Sequence, residues 1–176
     1  MGLLLFKKSM NNALYWRALT TIDLPAVEAM AATVHPAFPE DGAIFAERLA
    51  LYPAGARLLD LKGMPAGYIL SHPWRFKALP ALNTLLEATP EDADTYYLHD
   101  LALLPAARGT GAAATIVGDM LRHARAAGFG TVSLVAVNGS LPFWYKHGFR
   151  AVPAPDLAEK LASYEPMARL MARVLV

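Results

Sequence analysis

The sequence predicts an α/β fold of the α+β type, in which helices flank a mixed, mostly antiparallel sheet. An apolar run from Tyr96 to Leu104 is followed by a glycine-rich turn and an amphipathic stretch, the pattern of a strand and then a helix. A β-branched run from Thr131 to Val137 predicts the next strand. Two short apolar runs flank Lys62-Gly63-Met64-Pro65, which predicts an antiparallel hairpin.

Length and charge favour a single domain over residues 1–176 that acts on a small partner. A chain of 176 residues can bury one compact core and is short for two. The net charge of +1 gives no global field that would attract nucleic acid or an anionic membrane. No apolar run approaches the roughly 18 residues of a membrane helix. We therefore expect neither nucleic acid nor a membrane as a partner.

Cysteine and histidine usage bears on location and chemistry. The chain has no cysteine, which excludes disulfides, thiolate metal ligands and a cysteine nucleophile. Its five histidines, at positions 35, 72, 99, 123 and 147, lack metal-ligand spacing. Residues 1–12 place apolar residues before the lysines, unlike a secretory signal, and predict a frayed end or a packing extension. The expectation is a cytoplasmic protein without a metal site.

The first third of the chain predicts a strand and two helices. Ala13 to Ala18 has the composition of a strand, and Thr20 to Pro25 supplies cap residues and a proline for the first helix. After the aromatic connection from His35 to Pro39, a second helix is expected to begin at Glu40-Asp41 and to end before Pro53.

A long connection separates the hairpin from the central strand. The hairpin strands are expected at Arg57 to Leu61 and Ala66 to Ser71, and the connection runs from Ser71 to Thr95. A short helix is predicted within it, from Leu79 to Leu86. Long connections inside compact domains are often functional. A closing strand is predicted within Tyr164 to Val176.

The turn after the central strand has the composition of an anion site. Residues 108–113 are R-G-T-G-A-A, and a helix follows from about Gly111 to Ala127. Small residues leave backbone N–H groups accessible at a helix N-terminus, where the dipole favours an anion such as pyrophosphate. Glycines needed only for a left-handed φ or for close packing give the same pattern, so the turn alone does not decide.

Two motifs together resemble the GNAT family of N-acetyltransferases. That family has [Q/R]-x-x-G-x-[G/A] after a central strand, then an asparagine seven residues before a tyrosine in a Y-x-x-G-F ending. Arg108 to Ala113 matches the first motif, and Asn138, Tyr145 and Gly148-Phe149 match the second. The resemblance covers roughly the whole chain, but its specific motifs lie between about residues 98 and 149.

The resemblance implies acetyl-CoA as co-substrate and a twisted sheet that splays after the central strand to admit it. The pantetheine arm would pair with the backbone of Leu101, Ala102 and Leu103. Asn138 would bind the pantetheine amides or stabilise its own turn. The side chain of Arg108 would act as a supporting cation or lock the strand. The pyrophosphate would lie over Arg108, Gly109, Thr110, Gly111, Ala112 and Ala113.

Tyr145 is the predicted general acid, because a phenol of pKa about 10 can protonate a thiolate whose conjugate acid lies near 8.5. The alternative is that Tyr145 only packs among neighbouring aromatic residues.

The base is less evident, since Ser133 stands where some family members have a glutamate. Asp100 is the preferred base, directly or through water, although it could instead pair locally near Arg108. Because strand side chains alternate, only one of His99 and Asp100 faces the cleft unless a bulge intervenes.

The acceptor is predicted to be a primary amine of a small molecule or peptide. In the family the first pair of helices borders the acceptor cleft, so the resemblance implies that His35 and Phe38 contact the acceptor. Trp74 and Phe76 in the long connection are predicted to wall the cleft, with His72 and His99 as further contacts. The alternatives are that His35 is solvated or packs locally, and that Trp74 only covers the sheet edge.

The predicted function is acetyl-CoA-dependent N-acetyl transfer by direct attack of the amine. One rival is a non-catalytic acyl-CoA-binding regulatory module, which would need the turn but not Tyr145. Another is a nucleotide- or S-adenosylmethionine-binding enzyme, which would want an acidic residue about 20 positions after the turn, where the chain near Thr131 offers none. The apolar strand edges also permit a homodimer.

Overall fold

A computed structural model describes residues 14–176 as a seven-stranded sheet with helices on both faces. Residues 1–12, considered above, and Ala13 of the first predicted strand lie outside the described residues. The strands are β1 Leu14–Ala18, β2 Ala56–Leu61, β3 Met64–Trp74, β4 Thr95–Leu103, β5 Thr131–Ala136, β6 Arg150–Ala151 and β7 Arg169–Val174. The helices are α1 Leu24–Val34, α2 Gly42–Leu51, α3 Ala112–Ala126, α4 Leu141–Lys146 and α5 Ala158–Ala162. In the described part of the chain, none of these helices has the length and apolar character needed to cross a membrane.

The strand order is β1-β2-β3-β4-β5-β7-β6, and every neighbouring pair is antiparallel except β4 and β5, which are parallel. This confirms the predicted mixed, mostly antiparallel sheet. The hairpin of β2 and β3 is present, with β3 extending beyond its predicted end to Trp74. The parallel pair is joined through α3, the crossover that parallel neighbours require.

Apolar side chains on the two faces of β3 explain the two helix layers. Alternate strand residues point to opposite faces, so Ile69 packs with α3 while its neighbours Tyr68 and Leu70 pack with α1 and α2. The α3 layer buries Ile116, Val117 and Met120, and the other layer buries Val27, Met30 and Phe45. Burial of each such side chain contributes roughly 1.5–3 kcal/mol, which fixes both layers against the sheet.

The predicted helix from Leu79 to Leu86 is wrong, because residues 75–94 contain neither helix nor strand. Asn83 and Glu87 have φ of +52° and +68°, values that a right-handed helix excludes. Tertiary hydrogen bonds fix the segment instead. The Asn83 amide oxygen accepts the N–H of Asp41 at 2.8 Å, and the Glu47 carboxylate accepts the N–H of Leu86 at 2.7 Å.

Strands β4 and β5 diverge after a short paired stretch. They pair only at Tyr96 with Val132 and at Tyr97 with Ser133, although both strands continue further. The splay after the central strand is therefore confirmed, and it opens a gap in the middle of the sheet. β4 also bulges on its other side, since Leu70 pairs with Asp100 while Ser71 pairs with Leu98, which leaves His99 as the extra residue.

Candidate active site

Two cavities on opposite faces of the sheet meet at the gap between β4 and β5. The large cavity, of about 580 Å³, lies on the α3 face and is lined by residues from the turn before α3, from β4 and from α4. The small cavity, of about 70 Å³, lies on the α1 and α2 face. Residues lining both are His35, His99, Asp100, Val135 and Val137. A ligand in the large cavity can therefore reach a ligand in the small one.

The glycine turn forms one wall of the large cavity. Gly109 and Gly111 have φ of +74° and +83°, the left-handed region that glycine adopts without strain. The Thr110 hydroxyl donates to the carbonyl of Ala107 at 2.6 Å, which holds the turn closed. Arg108 donates from Nε to the carbonyl of Leu103 at 3.3 Å, so its side chain ties the turn to the end of β4. The first N–H groups of a helix lack intrahelical partners and lie at the positive end of its dipole, so the turn before α3 has the chemistry of an anion site.

The splayed edge of β4 forms a second wall. Leu101 and Leu103 line the large cavity, whereas Ala102 is buried against α1 and α2 on the opposite face. All three pair with β3 on one side. On the other side β5 has diverged, which leaves a strand edge that an extended amide chain can join.

The bulge at His99 gives the central strand two consecutive side chains in the cleft. Without it, His99 and Asp100 would point to opposite faces of the sheet. Instead, both line both cavities. Ser133 stands where some family members have a glutamate. Its hydroxyl is buried and hydrogen-bonded to that of Thr95 at 2.9 Å, so this position supplies no base.

Asp100 is the centre of a hydrogen-bond cluster that spans the cleft. Its Oδ1 lies 2.8 Å from Nε2 of His35, and its Oδ2 accepts the hydroxyl proton of Tyr68. The other ring nitrogen of His35, Nδ1, lies 3.1 Å from the Nδ2 amide of Asn138, which follows β5. The cluster therefore joins α1, β3, β4 and the turn after β5.

The charges of this cluster shift its pKa values in opposite directions. Burial alone would raise the pKa of Asp100, but hydrogen bonds from His35 and Tyr68 outweigh it and lower the pKa below its ordinary value. Burial alone would lower the pKa of His35, but the bond to Asp100 and the charge of Glu40 raise it. Burial, followed by the charge of Asp100, raises the pKa of the Tyr68 phenol, which therefore stays a neutral donor.

The small cavity combines a carboxylate with aromatic walls. Phe38 lines it, together with Glu40, Tyr97 and Tyr164, which sequence reasoning did not single out. Oε1 of Glu40 lies 3.5 Å from Nε2 of His99. Tyr164 donates its hydroxyl proton to the carbonyl of Pro80 and so fixes part of the long connection as a cavity wall.

His72 and Trp74 are not among the described residues that line either cavity. His72 is buried beside the cleft, with its ring centroid 6.0 Å from that of His99. Burial, with a contribution from His99, lowers the pKa of His72 to about 3, so its ring is neutral. Trp74 packs edge-on against His72 and donates to the carbonyl of Ala78.

The structure does not bring Tyr145 to Asp100. Its side chain is 44% exposed, and the Arg150 guanidinium carbon lies 5.9 Å from the centre of its ring. Trp144, the preceding residue, lines the large cavity and donates from Nε1 to the Ser140 hydroxyl at 3.2 Å. Consecutive helix residues point about 100° apart, so one of the two faces the cleft and the other faces outward.

The sequence matches the family model described as Acetyltransferase (GNAT) family over residues 20–149, and the chain belongs to that family. The matched segment contains the central strand, the glycine turn and α4. A search of curated proteins found no match. Membership of the family supports acyltransferase activity, with acetyl transfer from acetyl-CoA as its general form.

Solved structures share the fold at low sequence identity. The loading GNATL domain of CurA from Lyngbya majuscula is 17% identical with a TM-score of 0.74, over 93% of this chain and 98% of that one. The GphF GNAT-like decarboxylase in complex with isobutyryl-CoA is 18% identical with a TM-score of 0.72, over 92% and 100%. Naa50 of Arabidopsis thaliana, in complex with a bisubstrate analogue CoA-Ac-MVNAL, is 14% identical with a TM-score of 0.68, over 92% and 99%.

Proposed function

We propose that this protein transfers an acetyl group from acetyl-CoA to the primary amine of a small molecule by direct attack. The observation that supports this most is the passage through the sheet, with an anion-binding turn at one end and a carboxylate–imidazole pair where the two cavities meet. Because both cavities open onto that pair, a thioester and an amine can approach from opposite faces and react there.

The large cavity would hold the co-substrate. Its pyrophosphate would lie over residues 108–113 and use backbone N–H groups of that turn, and its pantetheine arm would pair with the free edge of Leu101, Ala102 and Leu103. Arg108 acts mainly as a strand lock in this arrangement, since its Nε bonds the carbonyl of Leu103. Asn138 lies at the inner end, where its amide already contacts His35.

The small cavity would hold the acceptor. Its volume of about 70 Å³ favours a compact amine over a folded peptide segment. Carboxylates of Glu40 and Asp100 attract an ammonium, while Phe38 and Tyr97 provide apolar walls for a short carbon body. A peptide N-terminus is the alternative acceptor.

The reaction requires a neutral amine as nucleophile and a proton donor for the leaving thiolate. An ammonium of pKa about 10.4 must lose a proton before its nitrogen can attack the thioester carbon. The cluster around Asp100 is the proton acceptor. The sequence predicts Tyr145 as the general acid, whereas its side chain is largely exposed and is not among the described residues that line either cavity. The variant Tyr145→Phe distinguishes between the two.

The test combines calorimetric titration of acetyl-CoA with an assay for thiol release across a panel of small amines and short peptides. We expect acetyl-CoA to bind and a compact primary amine to be acetylated, with the product confirmed by mass spectrometry. Binding without turnover on any amine would favour the regulatory-module alternative. Failure of acetyl-CoA to bind, with another acyl-CoA such as isobutyryl-CoA binding in its place, would overturn the acetyl assignment.

A further inference from the structure

We propose that His35 is the general base of the reaction, with its Nδ1 atom accepting the proton of the acceptor amine and Asp100 acting as a positioning residue. The inference rests on the proposed function and assigns the proton transfer to one atom of one side chain. The observation behind it is that His35 joins Asp100 on one wall of the cleft to Asn138 on the other.

The backbone holds His35 at the junction of the two cavities. It is the first residue after α1, and its N–H donates to the carbonyl of Ala31 at 2.8 Å. Its own carbonyl accepts the N–H of Phe38 at 2.9 Å. The Phe38 ring packs edge-on against the imidazole, with centroids 6.5 Å apart. The imidazole is thus fixed from the backbone and from its face before any ligand arrives.

The partners of its two nitrogens define the tautomer. A carboxylate only accepts hydrogen bonds, so Nε2 donates its proton to Oδ1 of Asp100. Nδ1 then presents a lone pair, which accepts the Nδ2 hydrogen of Asn138. An incoming ammonium is also a hydrogen donor. It can replace Asn138 at Nδ1, which leaves the amide of Asn138 free for the co-substrate.

Asp100 itself is poorly suited to take the proton. Both of its oxygens already accept hydrogen bonds, from His35 and from Tyr68. The pKa of Asp100 lies below the ordinary carboxyl value of 3.8, and therefore more than about 6 pKa units below the 10.4 of an ammonium. An ordinary imidazole has a pKa of about 6.5, so its difference from the ammonium is only roughly 4 pKa units. The bond to Asp100 raises the pKa of His35 and reduces this difference further.

The charged and titratable groups that face His35 come from every element around it. Asp100 and His99 lie on β4, Tyr68 on β3 and Glu40 on the connection before α2. Glu40 and Asp100 both favour the imidazolium, so proton uptake by His35 is electrostatically supported.

Nδ1 of His35 takes one proton from the ammonium, and the freed lone pair forms the C–N bond with the thioester carbon. The C–S bond then breaks, and the sulfur leaves with the bonding electrons and takes up the second proton lost by the nitrogen. The imidazolium returns the first proton to solvent. The products are an N-substituted acetamide, free CoA thiol and one proton.

The experiment compares His35→Gln with the wild-type protein on an amine that the panel has identified. We expect kcat/KM to fall by about 10²- to 10⁴-fold, the range of general-base catalysis. The dissociation constant of acetyl-CoA, measured by calorimetry, should change less than about threefold, a difference well under one tenfold step of 1.4 kcal/mol. His123→Gln is the matched control, because His123 bonds Tyr52 away from both cavities, and it should keep full activity.

The pH profile separates a base from a structural residue. Wild-type kcat/KM should lose activity as pH falls through the pKa of His35, and this inflection should be absent in His35→Gln. In Asp100→Asn the inflection should move to lower pH, because the charge that raises the pKa of His35 is gone. Exogenous imidazole should partly restore a His35→Ala variant.

An NMR titration of the histidine rings in the wild-type protein gives an independent readout if a variant fails to fold. We expect the pKa of His35 to lie above the ordinary value of about 6.5 in the wild-type protein. The pKa of His35 should fall in the Asp100→Asn variant. Near-normal turnover of a folded His35→Gln variant that binds acetyl-CoA would overturn the proposal and leave the proposed function intact. Absence of acetyl-CoA binding by the wild-type protein would instead overturn the proposed function.

Discussion

Gly111 and Gly63 have almost the same φ, +83° and +84°, but they lie in different places. Gly111 precedes α3 and lines the large cavity, whereas Gly63 forms the turn of the β2–β3 hairpin. A Cβ atom added at either position would meet no atom within 4 Å. The pair therefore separates the backbone strain of an alanine from its effect on the cavity.

We predict that Gly111→Ala weakens acetyl-CoA binding at least about tenfold, or roughly 1.4 kcal/mol, because its methyl group projects where the pyrophosphate binds and the strained φ reorients the N–H groups. Gly63→Ala should suffer about the same strain, roughly 1–2 kcal/mol of unfolding free energy, with unchanged binding. Calorimetry and chemical denaturation measure the two effects. Equal acetyl-CoA affinity in the two variants would show that the pyrophosphate does not bind at this turn.

A second residue-level prediction concerns Tyr145. We expect Tyr145→Phe to keep kcat within about twofold of wild type, far less than the 10²-fold or greater loss of a general acid, because its hydroxyl lies outside both cavities. Single-turnover kinetics of thiol release is the measurement, since it isolates the chemical step. A large loss with unchanged acetyl-CoA affinity would restore Tyr145 as the acid and imply that α4 rotates when the co-substrate binds.

At the scale of elements, an ion pair joins the first strand to the first helix. Arg17 on β1 donates from both terminal nitrogens to the carboxylate of Asp23, each at 2.8 Å, and Asp23 also accepts the N–H of Thr20 at 2.8 Å. These contacts, led by the hydrogen bond from Arg17, lower the pKa of Asp23 to about 2. Since His35 directly follows α1, this anchor also helps to position the cleft.

A depressed carboxyl pKa stabilises the fold above its unfolded value of about 3.8, and the contribution is lost as pH falls through about 2. We predict that Asp23→Asn lowers the unfolding free energy by about 2 kcal/mol at neutral pH, and that the difference from wild type vanishes near pH 2. Urea denaturation at several pH values tests this. Asp92→Asn, which removes an exposed pair with Arg75, is the control and should leave stability unchanged.

Elements with strong periodicity could be predicted from the sequence, and those fixed by tertiary contacts could not. The central strand, the glycine turn and α3 follow from apolar spacing and small residues. The helix expected at Leu79 to Leu86 fails because Glu47 and Asp41 bind that segment's backbone and side chains from another part of the chain. Local propensity contains no information about such partners.

The candidate site was predicted in part for the same reason. The turn lies in a motif, and Asp100 follows from its place on the central strand. A bulge is the condition under which His99 and Asp100 share the cleft, and the strand has one. Tyr68 lies within an apolar strand and Glu40 in a connection, so neither has a local feature that indicates a role. The side chains of Trp144 and Tyr145 point about 100° apart around α4. Counting residues from Asn138 does not tell which of the two faces the cleft.

At the scale of the whole molecule, the passage through the sheet bears on whether both substrates bind before acetyl transfer takes place. The two cavities open on opposite faces and meet at His35 and Asp100, so both substrates can be bound together. A covalent acetyl-enzyme is not required, and the chain has no cysteine to form a thioester. In the proposed arrangement, the sheet would separate the two substrates except where the cavities meet.

We therefore predict a sequential mechanism with a ternary complex. Initial rates at varied acetyl-CoA and amine should give intersecting double-reciprocal lines, and the protein incubated with acetyl-CoA alone should keep its mass. Because the pantetheine arm would form one wall of the passage, acetyl-CoA should also tighten amine binding, and the amine should tighten acetyl-CoA binding by the same factor. Calorimetry with a non-transferable thioether analogue measures both affinities. Parallel lines together with an acetylated protein would contradict direct attack and place a nucleophile of the chain between the two cavities.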